Sequence, residues 1–218
     1  MKPVLVIRHA SLEVANYLIE FLSQQHIPTV FFGTDTADHL PDNLNNYSGL
    51  VLMGSLRSVN DKLAWMDQLL VLIREAFGRK IPILGHCLGA QLMSKALGGQ
   101  VTHNTHPEIG WIEVQVLSHP IAKRWFGAIK SFNGFLWHGD TFSLPLNSIS
   151  LLSSRHCKHQ AFALGKHLGL QCHLEMNTEL VKSWCETGAN DIRSAVASPA
   201  VQTQEQILSD LTLRCFLL

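Results

Sequence analysis

The first hundred residues alternate short apolar runs with stretches of helical length, and the runs lack the polar alternation of a strand with one wet face. Val4–Ile7, Thr29–Phe32, Gly49–Met53 and Ile81–Leu84 are the strands of this pattern. Glu13–Gln25 and Leu63–Phe77 read as intervening helices, and another helix follows Gly85 as far as Leu97. Strands that are apolar on both faces belong in a parallel sheet covered by helices on each side. The order predicts an α/β, doubly wound fold with a mostly parallel central sheet and sites at the carboxyl ends of its strands. After Gly98 the texture changes. Gly110–Leu117, Ile149–Ser153, Ala161–Leu164 and Gly169–His173 read as shorter strands, a smaller antiparallel element in the second half. Thr178–Glu186 and Gln202–Leu213 read as helices, with a break at Ser198-Pro199. No repeat or linker interrupts the chain, which predicts one domain over residues 1–218 with its core to about 185 and a helical segment over 186–218.

Composition narrows the function classes. Lys+Arg and Asp+Glu number 17 each, so no basic surface for nucleic acid or for a membrane is expected. Charged residues are 16% and apolar ones 46% of the chain, enough for a sizeable core and too little charge for disorder. No apolar run approaches the ~18 residues of a membrane span, and Val4–Ile7 is too short for a signal peptide. Five cysteines without close pairing point to a reducing compartment, and the expectation is a cytoplasmic enzyme.

The chemistry concentrates in Ile83-Leu84-Gly85-His86-Cys87-Leu88-Gly89-Ala90-Gln91. A buried strand runs into a glycine, a reactive residue follows, then a second glycine and a helix. That is the logic of a nucleophile elbow, in which small neighbours permit a strained turn that projects one side chain. The nucleophile here is Cys87, and a helix N-terminus favours its thiolate. The backbone N–H of Leu88 would point at a developing oxyanion. A thiol nucleophile needs a base, and the base an orienting group. Gln171-Cys172-His173-Leu174-Glu175 offers both, since a spacing of two places His173 and Glu175 on one side of an extended backbone. The bland alternatives are a small buried cysteine and a chance His-x-Glu among 12 histidines; only the combination outweighs them.

Those two segments resemble the signatures of the class I, triad-type glutamine amidotransferases. Trp137-His138-Gly139-Asp140-Thr141 resembles a loop of the amidotransferase domain of GMP synthase and its stand-alone relatives, and Gly49 to Asp61 resembles that family's oxyanion strand and turn. The resemblance implies a flavodoxin-like fold without cofactor or metal. It implies that Cys87 attacks the side-chain amide carbon of glutamine, with His173 as base and acid and Glu175 orienting it. It places the oxyanion between the N–H groups of Leu88 and Ser55, and gives Gly54, Gln91, Trp137, His138, Gly139 and Asp140 to the substrate. Four positions, in three places, depart from the family pattern. Ser55 and Leu56 stand where Gly-Pro is usual, and Cys172 and Leu174 flank His173 in place of Phe and Pro. Ser55 can still donate the oxyanion N–H but would give a hole of different shape, since glycine tolerates backbone angles a serine resists. Cys172 and Leu174 touch the pocket wall rather than the reacting atoms.

Three functions are compatible with these motifs. The first is a glutaminase passing ammonia to a synthetase or acceptor subunit. The second is a stand-alone hydrolase of γ-glutamyl peptides or conjugates, and the third a silent binding module. No Gly-x-x-x-x-Gly-Lys-Ser/Thr loop supports ATP chemistry within the chain. Arg155-His156-Cys157-Lys158-His159 is too tightly spaced for a structural zinc site and reads as a solvated turn. His103 and His106 read as surface residues or a site rim. Asp140 reads as a contact for an α-ammonium or as a turn cap.

Overall fold

A computed structural model describes residues 1–9, 17–34, 36 and 39–214, with the side chains of 211–214 excepted. The first half of the predicted Glu13–Gln25 helix and the C-terminal tail therefore lie largely outside the described residues. One sheet of nine strands organises the chain, in the order β2-β1-β3-β4-β9-β8-β7-β5-β6. Its parallel part holds β1 (Val4–Arg8), β2 (Thr29–Gly33), β3 (Gly49–Leu52), β4 (Ile83–His86) and β9 (His167–Leu170). The antiparallel part holds β5 (Val101–Val116), β6 (Ser131–Phe142), β7 (Ile149–Ser154) and β8 (Ala161–Leu164). The fold is α/β with a mixed sheet, parallel at its core, as the strand pattern predicts.

Both faces of the parallel strands are covered, which explains their unbroken apolarity. Leu5, Ile7, Leu50 and Leu52 point into a core shared with α2 (Ala64–Gly78) and α3 (Leu88–Ala96). Val6, Val51 and Met53 point the other way, against Leu18 and Ile19 of α1 (Tyr17–Gln24). All of α3 except Lys95 is buried, as expected of a helix enclosed between sheet and neighbouring helix. Gly89 is what lets α3 approach. A Cβ there would overlap the backbone carbonyl oxygen of Leu52 and lie 2.7 Å from the Leu52 Cβ.

Among the described residues, three strands or α-helices escape the sequence reading. Ser131–Phe142, in which Trp137–Thr141 was expected to form a loop, is a strand paired along most of β5. α4 (Pro120–Phe126) and α6 (Ala189–Ala195) are the others. α5 (Thr178–Thr187) and α7 (Gln204–Arg214) fall close to their predicted limits. The expected strand Gly169–His173 ends at Leu170, and the chain then leaves the ladder while staying tied to β6 by His173 N–H donating to Phe135 O at 2.8 Å. α5, α6 and α7 enclose a second core with Ile109, Phe135 and Trp137. Among the described residues no helix is long and apolar enough to cross a membrane.

Gly89→Ala is expected to lower stability by about 1–3 kcal/mol, because the intruding methyl meets backbone that cannot rotate away. Urea denaturation should show a lower midpoint at an unchanged slope.

Candidate active site

The carboxyl ends of three adjacent parallel strands meet at one place. β3 delivers Gly54 and Ser55, β4 delivers Cys87, and β9 leads through Gln171 to His173 and Glu175. Cys87 is the residue between β4 and α3, and its backbone sits at φ 45°, ψ −107°. A non-glycine residue there is strained, and such strain persists only where the surroundings over-determine it. Here Cys87 N–H donates to Leu170 O at 2.7 Å, and Cys87 O accepts from Gln91 N–H at 3.0 Å. The thiol is directed into a cavity of about 260 Å³ lined by Ser55, Gln91, Trp137, Asp140 and Asp191, among others.

His173 and Glu175 are both buried beside it, and His173 Nδ1 lies 2.8 Å from Glu175 Oε1. His173 Nε2 has no partner at hydrogen-bonding geometry, although the Cys87 side chain is near enough to favour the protonated ring. Gly54 is the reason this approach is open: a Cβ at that position would lie 2.8 Å from His173 Cε1 and 3.4 Å from Cys87 Cβ. The Trp184 ring closes the remaining side, edge-on to His173 with centroids 4.9 Å apart.

The electrostatics of this group are coupled. Burial works against the charge on His173, but Glu175 and Cys87 outweigh it and raise the imidazole to about 10. Burial likewise penalises the Glu175 carboxylate, yet His86 and His173 hold it at about 2. His86 lies within the elbow motif, which by itself marks no role for it. It is the last residue of β4, nearly fully buried, with Nε2 3.6 Å from Glu175 Oε2. Its burial outweighs the pull of Glu175 and, with His173, lowers its basicity.

The remaining sequence candidates surround the cavity in different ways. Gln91 is buried, with Nε2 donating to Gln171 Oε1 at 3.2 Å and facing Asp140 O at 3.4 Å. Trp137 O accepts from Cys87 Sγ at 3.8 Å, while its ring Nε1 donates to Asp191 Oδ2 at 3.3 Å. Gly139 is exposed on the cavity wall. Asp140 lines the cavity too, but its carboxylate takes Ser58 Oγ–H at 2.7 Å and pairs with His103 Nδ1 at 2.7 Å. Ser55 lines the mouth and its Oγ accepts from Arg57 N–H at 3.2 Å. Leu88 opens α3 and is buried. Residues beyond the expected core boundary near 185 also contribute, since Asp191, Ser194 and Ala195 of α6 form part of the wall.

His138 is held inside the protein: Nε2 lies 3.1 Å from Glu108 Oε2 and Nδ1 3.0 Å from Asp140 O. Glu108 is fully buried and also accepts from Ser154 Oγ and Gln160 Nε2. Among the described residues, Glu108, His138 and Cys157 are near enough to share a metal ion, their ligand atoms lying within 4.8 Å of one another. They form a hydrogen-bonded network through Ser154, completed by Thr141 Oγ1 at 3.2 Å from Cys157 Sγ. His156 and His159 point elsewhere, toward His106 and Ser150. No sequence signal marks Glu108 beyond a lone carboxylate beside the apolar Ile109.

The chain matches the glutamine amidotransferase class-I family over residues 11–184, and it belongs to that family. A solved glutamine amidotransferase from Methylobacillus flagellatus superposes with a TM-score of 0.93 at 40% identity, covering 97% of this chain and 87% of that one. The glutamine amidotransferase-like protein YfeJ of Salmonella typhimurium is 26% identical over 86% of this chain and 81% of its own length. Gamma-glutamyl peptidase 2 of Arabidopsis thaliana is 28% identical over 64% of this chain and 58% of its own length.

Glu175→Gln should lower the titration midpoint of His173 seen by NMR, since burial then acts with less opposition. In the native protein the pair's contribution to stability is complete between about 4.5 and 6.5. It is lost as pH falls through the Glu175 value near 2 and as pH rises through the His173 value near 10. The variant should show a flatter dependence.

Proposed function

We propose that this protein hydrolyses the side-chain amide of glutamine through a γ-glutamyl thioester on Cys87. The observation that carries the reading is the strained Cys87 turn, with the His173 imidazole against it and Glu175 2.8 Å from the far ring nitrogen. The thiolate attacks the amide carbon, and the carbonyl π electrons move to oxygen, where the N–H groups of Leu88 and Ser55 receive the charge. Protonated His173 gives its proton to the departing nitrogen as the C–N bond breaks, releasing ammonia. Water then loses a proton to His173 and attacks the thioester. The C–S bond breaks, glutamate leaves and the thiolate returns. Glu175 holds one ring tautomer and orientation throughout.

The substrate's α-ammonium and α-carboxylate would lie toward the Trp137–Asp140 strand end and the Asp191 face of α6. Ser55 fits the oxyanion role because only its backbone N–H is required. The released ammonia would pass to a synthetase or acceptor subunit.

The second reading changes only the leaving amine, to that of a γ-glutamyl peptide or conjugate. It is favoured by the likeness to a gamma-glutamyl peptidase.

The test is glutamate release from L-glutamine and from a panel of γ-glutamyl dipeptides, without any partner. Cys87→Ala should lower release by ~1000-fold or more on the active substrate. Turnover of glutamine alone supports the glutaminase, turnover of dipeptides alone the peptide hydrolase, and release that survives Cys87→Ala overturns both.

A further inference from the structure

Gln171 is fully buried and directly follows β9, where its N–H donates to Gln160 O at 2.8 Å. Its side chain lies between Gln91 and the Cys87 thiol: Oε1 accepts from Gln91 Nε2 at 3.2 Å, and Nε2 stands 3.4 Å from Cys87 Sγ. The oxygen and nitrogen of an amide must be assigned from the groups they meet. Here the neighbours decide the assignment. Gln91 Nε2 faces the backbone carbonyl oxygen of Asp140 at 3.4 Å, an atom that can only accept. Gln91 therefore presents N–H groups on that end, so the Gln171 atom opposite is oxygen. The atom left facing sulfur is an N–H donor.

Beside the His173 ring, which Glu175 holds from its far nitrogen, Cys87 Sγ thus also meets one acceptor and one donor, Trp137 O at 3.8 Å and Gln171 Nε2 at 3.4 Å. The neutral thiol can give its proton to the carbonyl. The thiolate has nothing to give and is repelled by that oxygen, but it gains a charge-assisted bond from the amide. We infer that Gln171 is a catalytic residue that holds the Cys87 thiolate, and that Gln91 is a positioning residue that fixes its amide. This rests on the reading of Cys87 as nucleophile. When the thioester forms, the sulfur loses its charge and the amide bond to it weakens. When water breaks the C–S bond, the electron pair returns to sulfur and Gln171 stabilises it there. The relay also leaves Gln91 Oε1 as the atom with which Gln91 can accept from a substrate.

The test is the rate of Cys87 alkylation by iodoacetamide across pH, read by peptide mass mapping in the full-length protein. This readout needs no substrate. Gln171→Met keeps the shape and removes the donor. It should move the alkylation profile upward by about one pH unit, a tenfold loss of thiolate on the acid side. Gln91→Met should move it in the same direction by less, without altering any atom that touches sulfur. A folded Gln171→Met protein with the wild-type profile overturns the inference. Should that variant fail to fold, a Gln91→Met profile superimposable on wild type overturns it, and an upward shift supports it. The functional reading fails separately, through glutamate release that persists in Cys87→Ala while the alkylation shift stands.

Discussion

The contact between Gly89 and the Leu52 backbone sets the geometry of everything around it. No side chain separates α3 from β3 at this point, the helix begins immediately after β4, and the one residue between them turns sharply. That residue is Cys87, and its left-handed backbone is held by Leu170 O on one side and Gln91 N–H on the other. Strain at one residue is sustained by hydrogen bonds to neighbouring strand and helix, and the thiol is aimed into the cavity as a result.

Around that turn the protein buries charge that water would otherwise stabilise. Glu175 and His173 compensate one another, and His86 stands behind the carboxylate as a second imidazole. A buried carboxylate without partners would take up a proton. Enclosed between two rings, it keeps its charge and holds His173 in place. Further along the wall, Glu108 and His138 repeat the arrangement in a network that joins β5, β6 and β7. The first group lies against the thiol, whereas the second lies beneath the strand end that carries Trp137 and Asp140.

Local chemistry was legible in the sequence and cross-strand pairing was not. The parallel strands announce themselves because both their faces are buried, and the Gly-His-Cys-Leu-Gly turn because small residues flank a reactive one. β6 was hidden because Asn133, Gly134, Gly139 and Asp140 are turn formers. They lie in a strand because pairing with β5 prevails over their own preference. Glu108 was hidden for a related reason. The register of β5 against β6 shifts between His103 and Glu108, and this irregularity brings Glu108 opposite His138. Gln171 and His86 stood within the quoted motifs, yet their partners, Cys87 and Glu175, are set only when β4 and β9 pair.

The central claim is that Cys87, placed by this turn, attacks the carbon of a γ-glutamyl group. An analogue of glutamine with a haloketone in place of the side-chain amide tests it directly, followed by peptide mapping. The account predicts a single adduct on Cys87, suppressed by the true substrate and absent from Cys157, Cys172, Cys185 and Cys215. An adduct on one of those other cysteines, or labelling of Cys87 that substrate does not slow, would contradict it.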